Sequence, residues 1–113
     1  MGDLNLTQQR PKVTVNFTDD DGATHSHEFE VLPLDKKRFE GLAAYQKRAR
    51  TLDETQDVDE LAKLVPEFCD SMLRSTNGAV TITSLWENAG LPFSWVMQIA
   101  KHLQQEAVGD PPA

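Results

Sequence analysis

The sequence predicts an α+β fold, in which an N-terminal β-hairpin is followed by a small bundle of three to four helices. Three observations predict it. Apolar and polar residues alternate strictly through KVTVNFT and again through THSHEFEV, on either side of Asp19-Asp20-Asp21-Gly22, a natural turn. Beyond Leu34 the apolar residues recur instead at steps of three and four, the period of a helix packed on one side. The strongest such stripe lies in DVDELAKLVPEFCDSMLR, where Val58, Leu61, Val65, Phe68 and Met72 share a face widened by Leu64 and Leu73. A stripe of that kind must be covered, so the other segments read as its cover.

Residues 1–11 are polar, carry Pro11 and show no period; they are expected to form a mobile arm. The hairpin then spans 12–31. Val13, Val15 and Phe17 share one face of the first strand, and His25, His27, Phe29 and Val31 share one face of the second. Gly22 supplies the positive φ of a tight turn. A hairpin alone is marginal, so its apolar face should lie on helices.

Asp35 is a good N-cap for a helix over about 36–50, with Leu34 and Phe39 at the positions of a hydrophobic staple. Phe39, Leu42, Tyr45 and Ala49 form its expected buried stripe, weakened at Gly41. Lys47, Arg48 and Arg50 would complement the C-terminal end of that helix, whereas Lys36, Lys37 and Arg38 crowd its N-terminus without electrostatic gain. Thr51 to Gln56 reads as a polar connector. Asp57, with Glu60 three residues on, caps the helix over 57–74, and Pro66 within it predicts a kink or two abutting helices. Asn77 or Gly78 is placed to end that helix in the left-handed conformation. Val80 to Ile82 is expected to be extended. A short helix over 84–89, with Ser84 and Glu87 as a capping box, ends at Gly90, and a last helix over 92–107 carries Trp95, Val96, Ile99, Leu103 and Ala107 on its apolar side. Residues 108–113 are a tail.

The composition narrows the function. At 113 residues there is room for one domain and one modest core. No apolar run approaches the ~20 residues of a membrane span. Gly-Asp-Leu-Asn after Met1 makes no secretory signal, and Leu6 stands where a myristoylation motif needs serine or threonine. A single cysteine, Cys69, excludes an internal disulfide and suits a reducing cytoplasm. The net charge of −7 opposes general affinity for nucleic acid or anionic membrane. The cations are unevenly placed. Lys36, Lys37, Arg38, Lys47, Arg48 and Arg50 fall in one segment, a candidate face for self-association in a homo-oligomer.

The sequence carries no pattern for catalysis. No nucleophile elbow, phosphate-binding glycine loop or HExxH stands in it. Asp57, Asp59 and Glu60 read as helix N-terminal charges, and Cys69 as a small buried thiol. His25 and His27 share a strand face but lack the further ligands a zinc site needs. Asp19 to Gly22 lacks the spacing of a calcium loop. No cofactor, metal or catalytic residue is therefore expected. Ile82 to His102 has the spacing of a helix-turn-helix, the basis for a DNA-binding alternative. Trp86, however, falls where two such helices cross closely, and Lys101 is the only certain cation on the second.

The layout resembles the tail assembly chaperones of long-tailed bacteriophages, particularly those infecting actinobacteria. The resemblance runs through the hairpin VTVNFTDDDGATHSHEFEVLPL, the basic helix DKKRFEGLAAYQKRAR, the acidic helix DVDELAKLVPEFCDSMLR and the ending LWENAGLPFSWVMQIAKHLQQEA. It implies a non-enzymatic protein of the host cytoplasm that coats the helical, hydrophobic tape measure protein until tail tube subunits polymerise around it. Proteins of that family often have a longer, frameshifted form that recruits the tail tube protein; the ending Gly-Asp-Pro-Pro-Ala would suit the short form, and the protein sequence leaves a longer form open. A holdase of this kind needs an apolar groove, expected among Met72, Trp86, Phe93, Trp95 and Met97. A structural virion component, such as a head–tail joining or minor tail protein, is the alternative with the same size and layout.

Overall fold

The computed structural model describes residues 11–108, and for 106–108 the backbone alone. Apart from Pro11 and Val108, the predicted arm and tail lie outside the described residues, as does the side chain of Ala107. The fold is α+β. Strands β1 (Lys12–Thr18) and β2 (Thr24–Val31) form the hairpin, paired antiparallel from Lys12 with Glu30 to Thr18 with Thr24. Asp19 builds the turn. Its carbonyl accepts from Gly22, its carboxylate accepts the N–H groups of Asp21 and Ala23 at 2.9 Å, and Gly22 takes φ +83°. The alternation puts Val15, Phe17, Phe29 and Val31 into the core and leaves Thr14, Asn16, Ser26 and Glu28 in solvent.

Helix α1 (Lys36–Thr55) starts as expected, with Asp35 Oδ1 accepting the Arg38 N–H at 2.9 Å. It then runs past the predicted end, through the supposed connector, and stops at Gln56 in the left-handed conformation (φ +56°). Two expectations change as a result. Lys47, Arg48 and Arg50 are mid-helix residues, and no cation lies in the last turn. Leu52 joins Leu42 and Tyr45 in the buried stripe, whereas Phe39 stands 59% exposed and off that face. Arg38 turns inward in its stead. Its guanidinium donates to Pro33 O and Ser71 O and pairs with Asp35, tying the strand–helix connection to the next helix. The cation at this helix start has a structural role that sequence reasoning did not assign.

Helix α2 (Val58–Met72) is capped by Asp57, which accepts from Glu60 N–H, and continues unbroken through the buried Pro66. It is one helix, not two abutting ones. Its stripe starts at Leu61, because Val58, the first helical residue, is 66% exposed. α2 ends earlier than predicted, at Met72, and the chain passes directly into a third strand, β3 (Leu73–Ser75), which pairs antiparallel with Phe29–Val31. The sheet order is β1-β2-β3. Gly78 is left-handed (φ +72°) but closes the turn after β3 rather than the helix.

Helix α3 (Ile82–Asn88) begins two residues before the predicted start. Thr81 is its N-cap and Ser84 its partner in a reciprocal capping box, so Ile82 is helical, not extended. Asp70 of α2 reinforces the cap, accepting the N–H groups of Ile82 and Thr83 and the Thr83 hydroxyl. Gly90 (φ +84°) turns the chain into α4 (Phe93–Val108), which buries Val96, Ile99, Ala100 and Leu103. α2 is the central element, touching α1, α3, α4 and β3. One core joins the apolar sheet face to the inner faces of all four helices. Burial of each large side chain there contributes about 1.5–3 kcal/mol.

Candidate partner-binding surface

The five residues expected to line an apolar groove do not all come together. Met72 is 1% exposed, a core residue under the sheet. Trp86 of α3 and Phe93 of α4 are half-buried against each other, with ring centroids 5.5 Å apart and planes at 52°. Trp95 and Met97 are 43% and 42% exposed. Two residues on a helix differ by roughly 200° around its axis, so these two lie on opposite flanks of α4 and do not share a furrow. Trp95 lies over β1, where Val13, Val15, Trp95, Gln98, Ile99 and His102 line a groove of about 290 Å³.

A larger recess, unforeseen from the sequence, opens between α1 and α2. Gly41, Ala44, Tyr45, Arg48, Leu64 and Phe68 line about 350 Å³. A second recess of about 360 Å³, bounded by Asp35, Lys37 and Arg38, adjoins it at Gly41 and Ser71. Lys37, Gly41, Ala44 and Arg48 follow one another at helical spacing along α1, as do Leu64, Glu67 and Ser71 along α2. The trough between these rows is therefore some three turns long, about 16 Å. Its floor is the stack of Tyr45 on Phe68, centroids 3.9 Å apart and planes 9° from parallel. Gly41 and Ala44 are the reason it is open, since neither side chain fills the space beside the stack. The signal available in the sequence was that pair of small residues flanking the stripe.

The basic residues of α1 separate by role. Arg38 is the tether described above. Lys36 reaches Glu40 at 3.9 Å across an exposed helix turn, a pair worth little. Lys37 and Arg48 stand at the two ends of the trough. Lys47 and Arg50 are exposed.

The titratable groups elsewhere are structural in their surroundings. His25 Nε2 bonds Asp19 Oδ2 at 2.8 Å, and its ring stacks on Phe17 at 4.7 Å. The hydrogen bond from His25 and the turn N–H groups hold the Asp19 carboxyl below the usual carboxylate range. Burial, with the nearby Asp70 charge adding to it, pushes the Cys69 thiol up to about 12. Burial likewise pushes Tyr45 up to about 12. A thiol so protonated is a poor nucleophile.

Compared with known proteins, the chain matches no family model, no curated protein and no solved structure. Among the described residues no helix is long and apolar enough to cross a membrane.

Proposed function

We propose that this protein is a tail assembly chaperone of a long-tailed bacteriophage, acting in the host cytoplasm to hold the helices of the tape measure protein apart until the tail tube forms around them. The observation that carries the reading is the trough between α1 and α2. It has an apolar, aromatic floor, small residues along one wall, Glu67 on the other and a cation near each end. That chemistry suits an amphipathic helix, whose apolar side chains would lie on Tyr45, Leu64 and Phe68 while its acidic residues meet Lys37 and Arg48. The net charge of −7 on the whole chain would keep the loaded complex from coalescing.

Co-expression tests the reading. The tape measure protein should stay in the supernatant with the wild-type chain and pellet with Ala44→Arg, which fills the trough from an exposed helical position. A tape measure protein that pellets in the presence of the wild-type chain defeats the reading. So does recovery of this chain from purified virions, which would favour a structural tail or joining protein.

A further inference from the structure

Among the described residues β1 is an outer strand of the sheet, and its hydrogen-bond pattern fixes which backbone groups face outward. Val31 N–H donates to Pro11 O at 2.8 Å, and Asp19 N–H donates to Ala23 O at 3.0 Å. Bonded and non-bonded pairs alternate in an antiparallel ladder, so with this register Val13, Val15 and Phe17 turn their N–H and C=O groups toward β2. Lys12, Thr14, Asn16 and Thr18 turn theirs away from it. Folded proteins usually blunt such an edge with a proline, a bulge or an inward-pointing charge. None of these is present between Lys12 and Thr18. The register runs unbroken, the inward residues are Val13, Val15 and Phe17, and the one charge, Lys12, stands at the end. Beside the same edge lies the groove under Trp95, an exposed aromatic residue of α4.

We propose that a second copy of this chain docks on β1, the two β1 strands pairing antiparallel across a two-fold axis to make one six-stranded sheet. The strand is complementary to itself. An axis through Val15 sets Val15 opposite its twin, Thr14 opposite Asn16 and Lys12 opposite Thr18. The outward-facing residues then meet one another as bonded pairs over the full length of the strand. On the inner face Val13 meets Phe17 and Val15 meets Val15, apolar against apolar. At each end Lys12 of one copy, which reaches Glu28 of its own chain at 3.5 Å, also comes beside the Asp19-Asp20-Asp21 turn of the other, so opposite charges meet twice. A slip by two residues would leave strand ends unpaired and move Lys12 away from that turn. Trp95 and the groove beneath it are covered in the seam, while the trough between α1 and α2 is left open to a different partner.

Sedimentation over a concentration series, with amide hydrogen exchange on the same samples, tests this on the full chain. A dimer is expected in which the Thr14 and Asn16 amides are protected when concentrated and exchange on dilution, while Val13, Val15 and Phe17 stay protected throughout. Thr14→Pro removes an outward donor and no bond to β2; it should weaken dimerisation at least tenfold. Trp95→Lys, at an exposed position, should have the same effect, and it carries the test if the proline variant fails to fold by circular dichroism. Three results would overturn the proposal. One is a monomer at every concentration, and another is a dimer that a folded Thr14→Pro and Trp95→Lys both leave intact. The third is a monomer with the Thr14 and Asn16 amides protected, since the edge would then be covered from within its own chain.

Discussion

The Asp70 carboxylate, on α2, accepts the N–H of Ile82, the first residue of α3, at 2.7 Å. It also binds the N–H and hydroxyl of Thr83. The short α3 thus has two caps, one local from Thr81 and one from across the fold. Asp70→Ala should cost about 1–3 kcal/mol, since it leaves partly buried N–H groups of α3 without acceptors. Asp70→Asn, which keeps one acceptor oxygen, should cost less. Urea unfolding of the three proteins checks the order.

Gly90 and Gly41 should respond oppositely to alanine. Gly90 has φ +84°, and a Cβ there would meet the Asp19 Cβ at 3.2 Å, so Gly90→Ala should destabilise by about 1–2 kcal/mol. Gly41 is helical, and a methyl group at its Cα would meet nothing within 4 Å, so Gly41→Ala should stabilise by up to ~1 kcal/mol. Thermal unfolding measures both, and equal signs would contradict the backbone geometry described.

Alkaline pH should loosen the α1–α2 contact. Tyr45 ionises near 12 in the fold against 10 for a free tyrosine. A raised value means the neutral phenol is favoured by folding. Its stabilisation is therefore complete below pH 10 and declines as pH rises through 12. Cys69, raised from 9 to about 12, acts in the same direction. The chain has one tyrosine, so tyrosinate absorbance reports this site alone. Tyr45→Phe should flatten the alkaline limb between 10 and 12 to what Cys69 contributes.

Cys69 should resist thiol reagents at neutral pH while the chain is folded. It is fully buried, its Sγ lies 3.8 Å from Val96 O, and it is protonated far above neutrality. Disulfide-exchange reagents should modify it at the rate of unfolding and not before, and urea should bring the two rates to the midpoint together.

The parts of the fold legible in the sequence are those set by neighbours along the chain. The alternation around Gly22 revealed the hairpin face, and Asp35 and Asp57 marked two helix starts through side chains that reach only three residues on. β3 was not legible because its partner is distant. Leu73 continues the helical stripe of α2 in sequence, and only pairing with Val31 makes it a strand residue. The end of α1 was missed because its terminating residue is Gln56, a left-handed residue that is not glycine. The trough escaped notice for a different reason. A groove is made by what two helices leave out, and Gly41 and Ala44 register in a sequence only as weak or neutral helix formers.

The pairing of β2 with β3 also has a consequence for folding. Residues 29–31 and 73–75 are adjacent in space, but all of α1 and α2 lies between them along the chain. Closing so long a loop is entropically unfavourable until the two helices have already shortened it by docking together. The hairpin can zip early and the helical pair can collapse early, but the sheet gains its last member only when those two pieces meet. The encounter of Leu73 with Val31 is thus expected to come late, joining separate local structures into a single cooperative unit.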